Sequence, residues 1–261
     1  STERNPVVTF DTPGWKAVTL TVSNGVGSHT TVNPYAVIIG GPTYDFVGGY
    51  NESFEVDPGI YPWFTMNYAD NNTSFQRTTT AASAGNASVV LNSGARNPLD
   101  LIDPDNSLDY DEFISPSFDL DALQSGTTFS FDFAYSTGAS DLSLVSEELL
   151  VSSSVDCGKT WSTLFGGQIT GAALINNGNN PQTPPPAWTN KSFTLPNSRL
   201  APDVRFRFRF VSSAYSGNLY IDNIQISGPV GIEDLSSEHF MSLFPNPTND
   251  RFSLAVYGMD R

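Results

Sequence analysis

With 261 residues, the chain is long enough for one large sandwich or for two or three smaller units. Its 12 basic residues against 27 acidic ones leave a formal net charge of -15, which argues against a nucleic-acid partner, because phosphate binding depends on basic groups, and makes divalent cations the more natural companions. The one cysteine, Cys157, excludes an intrachain disulfide, and no apolar run has the length of a membrane-spanning helix.

Many short runs rich in Thr, Val, Ser and Phe are punctuated by glycine and proline, and none sustains a helical period, so the chain reads as all-β. The sequence does not open on a signal-peptide pattern or an initiator Met, and the chain is expected to be a processed or excised piece. Residues 1–40 hold three alternating runs separated by Pro-Gly and Asn-Gly turns; Val18, Leu20 and Val22 share one face and Thr19, Thr21 and Ser23 the other. The stretch from Trp15 to Ser28 resembles the C-terminal half of a PKD domain, an Ig-like sandwich of secreted and surface proteins.

Residues 41–229 carry strand patterns at Ser53–Val56, Trp63–Met66, Ala87–Leu91, Glu112–Pro116, Thr127–Tyr135, Glu148–Ser154, Trp161–Phe165, Trp188–Thr194, Val204–Val211 and Leu219–Ile226, a number and spacing that suit a jelly-roll sandwich. In TFSFDFAY, residues Phe129, Phe131, Phe133 and Tyr135 share a face; in VRFRFRF, Val204, Phe206, Phe208 and Phe210 do the same, and the two aromatic faces are expected to meet in one core. The opposite faces carry Asp132 and the row Arg205, Arg207, Arg209. A basic row invites a sulfated-glycan reading, but in so acidic a chain pairing with carboxylates on neighbouring strands is preferred. The segment ITGAALINNGNNPQTPPPAW is too long for a hairpin and is either a binding rim or mobile decoration. In SSVDCGKTWSTL, Asp-Cys-Gly-Lys reads as a hairpin turn, with Cys157 a buried structural thiol and the Trp161 ring against the core.

Residues 230–242 read as a linker, and 243–261 as the start of a new module. In LFPNPTNDRFSLAV, Pro245, Asn246 and Pro247 hold the chain extended and introduce a strand. The stretch resembles the opening of the type IX secretion sorting domain of Bacteroidota, which implies the type IX machinery as a partner and an extracellular or outer-membrane surface location.

The chemistry is narrowed by the two histidines, His29 and His239: neither a zinc helix nor a two-histidine metal site is available, and no GxSxG elbow is present. Carboxylates crowd LDLIDPDNSLDYDEF, where Asp100, Asp103, Asp105, Asp109, Asp111 and Glu112 would raise one another's pKa values unless a cation neutralised them, so calcium at Asp111 and Glu112 is favoured over catalysis, with a solvated acidic loop as the alternative. The unit 41–229 is similar to the MAM-like or choice-of-anchor J jelly rolls of secreted Bacteroidota proteins, through NESFEVDPGIYPWF, EFISPSFDL, SSVDCGKTWSTL and NLYIDNIQI in order. By that resemblance, Glu55 on the first strand and Asp222 on the last are expected to share a structural calcium. Should the unit bind a glycan or surface polysaccharide, Trp63, Trp188 and Tyr215, with Tyr61, are the aromatics expected on its binding face.

The sequence thus predicts an all-β chain: a jelly-roll β-sandwich flanked by a partial Ig-like (PKD) sandwich and the start of an Ig-like sorting domain. Its expected role is a non-catalytic spacer, adhesion or substrate-targeting region of an exported protein. Two alternatives stay open: a carbohydrate-binding module, or the C-terminal part of a secreted zinc metallopeptidase, since the module order resembles the tails of pappalysin-like enzymes.

Overall fold

Alternation of aromatic and polar residues along two strands sets the centre of the molecule. The computed structural model describes residues 2–10, 14–39, 43–45, 49–56, 60–67, 73–93, 110–179, 184–213, 215–230, 241–244 and 253–256. The strands in chain order are β1 (Gly14–Ser23), β2 (Ser28–Ile39), β3 (Tyr44–Asp45), β4 (Tyr50–Glu52), β5 (Phe64–Asn67), β6 (Phe75–Thr78), β7 (Ser88–Leu91), β8 (Tyr110–Ile114), β9 (Phe118–Asp119), β10 (Thr128–Tyr135), β11 (Glu148–Ser154), β12 (Ser162–Thr170), β13 (Thr189–Thr194), β14 (Arg205–Val211), β15 (Leu219–Ser227), β16 (Met241–Phe244) and β17 (Ser253–Val256). The chain divides into two compact units, Ser1–Pro229 and Val230–Arg261.

In the first unit, β13-β10-β15-β7-β6, with β4 also paired to β15, form a six-stranded sheet, and β12-β11-β14-β8-β5 form a five-stranded one. Their inner faces pack as a β-sandwich, as the sequence predicts. Phe129 of β10 stacks on Phe206 of β14 at 4.0 Å and 8°, Phe131 meets Phe208 edge-on at 4.7 Å, and Tyr135 lies 5.3 Å from Phe210. All six rings are fully buried. Each contributes roughly 1.5–3 kcal/mol through burial, and the pairs add about 0.5–1.5 kcal/mol through ring geometry.

Strand boundaries follow the sequence reading closely from β7 onward, except that the two-residue β9 is not anticipated and β12 runs on to Thr170 where the reading ends at Phe165. Ahead of β7, pairing ends at Glu52, because the Glu52 side chain accepts the Phe54 N–H at 2.7 Å and Phe54 turns to φ 56. The expected strand at Ser53–Val56 is therefore a turn that drops Phe54 into the core. The short edge strand β6 has no counterpart in the sequence reading, since of FQRT only Phe75 reaches the core. The Pro-rich excursion is held down where it is described: Asn176 accepts the Tyr135 N–H at 2.8 Å and donates to the Phe133 carbonyl at 2.9 Å, and Leu174 is fully buried.

β1 and β2 form a separate antiparallel hairpin whose Val18, Leu20, Val22 and Val32 stay about half exposed. It groups with the sandwich in the first unit, and the Trp15 indole N–H donates to the Thr65 carbonyl of β5 at 2.9 Å. In the second unit, β16 and β17 pair antiparallel with Leu243 opposite Leu254. No helix among the described residues is long and apolar enough to cross a membrane.

Phe208→Ala removes the ring that touches both sheets' aromatics, and it is expected to lower the unfolding free energy by about 3–5 kcal/mol in urea titration. A loss below ~1 kcal/mol would show that the two faces do not carry the core.

Candidate functional site

The outer face of the six-stranded sheet gathers polar side chains around the turn at 81–87. Strand parity brings Asp132 of β10 directly opposite Asp222 of β15, with a register shift beside them and Asn223 at φ 50. Asp222, fully buried, accepts N–H bonds from Ser83 (2.7 Å), Ala84 (2.9 Å) and Asn223 (2.6 Å). Asp132 accepts from the Ser83 hydroxyl (2.6 Å) and from the side-chain amides of Asn190 (2.8 Å) and Asn223 (2.9 Å). Burial first, and the Asp132 charge in addition, push the Asp222 carboxyl above its ordinary pKa against the pull of its three N–H partners.

Glu55 reaches the same turn from the far side of the sheet's edge. Its Oε1 accepts the N–H groups of Asn86 (2.8 Å) and Ala87 (2.9 Å), which hold the carboxyl below its ordinary pKa. Gly85, at φ +70, lets the backbone come this near: a Cβ there would lie 2.3 Å from Glu55 Oε1. Glu55 and Asp222 thus both bond to the turn at 81–87. The structure adds Asp132, which period-two parity identifies only once the β10–β15 register is known, Ser83 from the turn, and Asn223, which its φ of 50 turns toward Asp132.

The donor set bears on calcium. Asp132 and Asp222 are adjacent, buried, and have neutral partners alone among the described residues, which leaves their negative charge uncompensated. Among those residues no group of three or more His, Cys, Asp or Glu converges, so main-chain carbonyls would have to complete a shell, which calcium accepts. At this turn Glu55 and Asp222 each accept backbone N–H groups.

Asp111 and Glu112 require a correction, for they lie in the other sheet. Asp111 is buried opposite Phe210. Glu112 Oε1 is held by Arg207 Nη1 (2.8 Å) and by Arg209 Nη2 (2.6 Å) and Nε (2.7 Å), so guanidinium groups neutralise it. The arginine row therefore pairs with a neighbouring strand. Arg207 also lies 4.4 Å over the Trp161 ring and Arg209 4.2 Å over Tyr110. Asp100, Asp103, Asp105 and Asp109 fall outside the described residues.

The expected binding aromatics do not share a face. Trp63, in the turn just before β5, is 2% exposed, stacks on Phe113 at 4.6 Å and donates to the Tyr50 hydroxyl at 3.0 Å, so it belongs to the core. Trp188 is half-buried, edge-on to Tyr220 at 6.2 Å on the outer face of the six-stranded sheet. Tyr215 is 45% exposed in the turn after β14, and Tyr61 is exposed elsewhere. Pro245, Asn246 and Pro247 lie outside the described residues, as does His239.

Asp156, Cys157 and Gly158 do form the hairpin turn between β11 and β12, but with a different exposure. Cys157 takes φ 60 in this turn and is exposed rather than buried. Trp161 turns outward onto Arg207 rather than into the core. The turn is tied by Asp156, which accepts from the Thr160 hydroxyl (2.6 Å), the Thr160 N–H (2.9 Å) and the Ser154 hydroxyl (2.7 Å).

No known family profile matches the chain, and no curated protein matches it. Several solved structures are similar. The K1 cleaved adhesin domain of Lys-gingipain from Porphyromonas gingivalis W83 is 20% identical over 70% of this chain and 99% of its own, with a TM-score of 0.47. The carbohydrate-binding module CBM27-1 of Caldicellulosiruptor saccharolyticus, solved with mannohexaose, is 17% identical over 71% of this chain and 100% of its own, with a TM-score of 0.44. The C-terminal family 22 carbohydrate-binding module of Clostridium thermocellum Xyn10B is 14% identical over 70% and 96%, with a TM-score of 0.41. The functional reading rests on the geometry of the chain itself.

The Thr160 hydroxyl, then the Thr160 N–H and the Ser154 hydroxyl, hold the Asp156 carboxyl at about 2, below its ordinary value. A depressed carboxylate pKa stabilises the fold above the unfolded value of about 3.9, and that stabilisation is lost as pH falls through it toward 2. Asp156→Asn is expected to flatten this part of the acid-unfolding profile, monitored by circular dichroism, and an unchanged profile would show the turn network to be inert.

Proposed function

We propose that this chain is a non-catalytic accessory region of an exported or cell-surface protein, in which the sandwich serves as a spacer, adhesion or substrate-targeting module. The carrying observation is how its buried outer-face carboxylates are used: Glu112 binds two arginines, while Asp132 and Asp222 hold the turn at 81–87. A hydrolytic pair needs one carboxyl free to give a proton and another free to attack or to activate water; these three are engaged in holding strands and turns. In this reading residues 1–40 belong to a PKD-like sandwich, the hairpin of β1 and β2 being part of it, and 243–261 open a type IX sorting domain addressed to that secretion machinery at the cell surface.

Glycan recognition by the sandwich is the second reading, favoured by aromatic side chains that stay exposed at its rim, Tyr215 at 45% and Phe165 at 101%. Calcium belongs to both readings as a structural ion. Glu55, Asp222 and main-chain carbonyls of the turn at 81–87 would hold it, and it would supply the positive charge that Asp132 and Asp222 otherwise lack.

The purified chain is expected to release no product from polysaccharide or protein substrates. Turnover that disappears in Asp132→Asn or Asp222→Asn would overturn the non-catalytic reading. For calcium, chelation is expected to lower the melting temperature modestly, corresponding to roughly 0.4–1.4 kcal/mol at millimolar calcium and a dissociation constant on the order of 10⁻⁴–10⁻³ M. Asp222→Ala should remove that sensitivity, and identical melts of the parent chain with and without chelator would exclude the ion.

A further inference from the structure

The open edge of the sandwich, where β12 of one sheet runs beside β13 of the other, carries a cleft that none of the expected site residues touches. Strand β12 is distorted there. Leu150 pairs with Gln168 and Ser152 with Thr163, so the single residue Val151 stands opposite the four residues Leu164–Gly167. The excess is accommodated by two glycines. Gly166 takes φ +75, and a Cβ on Gly167 would fall 2.5 Å from the Val151 carbonyl oxygen. Leu164 turns inward, 5% exposed, and the bulge throws Phe165 outward, 101% exposed. A lone exposed apolar side chain needs no explanation. This one is different in its setting, because the glycine-built bulge displays the ring on the wall of a cavity of about 530 Å³.

Beside the apolar Leu164, Leu195 and Pro196, the rest of that cavity's lining carries polar side chains. Thr163 and Thr194 line it from the two edge strands, and Asn197, Ser198 and Arg199 from the short 3-10 turn after β13. A second cavity of about 450 Å³ shares Ser125 and Asn197 with it and extends the cleft toward Gln124, giving an elongated depression suited to a chain-like ligand. The volume falls within the usual range for small-ligand sites.

We infer that this edge cleft is a subsite for a neutral glycan chain, with a sugar ring stacked on Phe165 and its hydroxyls bonded by Asn197, Ser198, Arg199 and the two threonines. The inference deepens the glycan reading given above and rests on it. A sugar ring has an apolar face of C–H groups and a rim of hydroxyls, which matches one exposed aromatic set among short polar side chains. The charge balance selects the neutral class: among the described residues Arg199 is the one charged residue lining the cleft, in a chain of net charge -15 that repels polyanions at longer range.

The test is calorimetric titration of the purified chain with three probes, xylohexaose, mannohexaose and cellohexaose, alongside Phe165→Ala, Arg199→Ala and Trp188→Ala. At least one probe should bind the parent chain. Phe165→Ala should weaken it by roughly tenfold or more with an unchanged melting temperature, since the ring makes no packing contact; Arg199→Ala should weaken it less, and Trp188→Ala should leave it unchanged. If a probe binds the parent and Phe165→Ala equally well, the cleft is not the site and the glycan reading survives elsewhere on the surface. If none of the three binds the parent chain, both the cleft and the glycan reading are overturned.

Discussion

The contact between β10 and β14 is the constraint on which the rest depends. Phe129, Phe131 and Tyr135 on one sheet and Phe206, Phe208 and Phe210 on the other are buried and in ring contact. Because side chains alternate along a strand, fixing those rings inward fixes their neighbours outward. Asp132 must then face away from the core, and so must Arg207 and Arg209. The polar outer faces are the reverse side of the same pattern that makes the core.

Each outer face resolves its charge differently. On the five-stranded sheet, Glu112 lies opposite Arg209 and beside Arg207, and the ion pairs extend into stacking on Tyr110 and Trp161. On the six-stranded sheet two carboxylates face each other with hydroxyl, amide and backbone N–H donors around them. That second arrangement organises an irregular turn, since Ser83 gives its N–H to Asp222 and its hydroxyl to Asp132. A short alanine-rich turn, anchored at its ends by buried Ala81 and Ala87, is thereby positioned by the sheet beneath it.

Much of this was legible in the sequence, and the failures have a common physical origin. Strict alternation over eight residues in TFSFDFAY identifies a strand and its buried side together, and the order of strands from β7 onward follows. Alternation says less where a strand is short or interrupted. At β5 a four-residue run leaves open which face is buried, and Trp63, just before it, goes inward. At β12 the four-residue bulge reverses the parity, so Leu164 is buried and Phe165 exposed. Pairing across strands is likewise absent from any local pattern: nothing in FDF and IDN taken singly says that Asp132 and Asp222 are neighbours. Glu55 and Asp222 were named through resemblance, and their shared turn is visible only once the strands are assembled.

The bulge in β12 has a further consequence for how such molecules share space. A regular outermost strand offers an unbroken row of backbone donors and acceptors to any passing chain, and so invites sheets to fuse side by side. Here that row is broken midway by residues whose spacing no straight strand can match. The sandwich can therefore be crowded against others of its kind while that border resists becoming a seam.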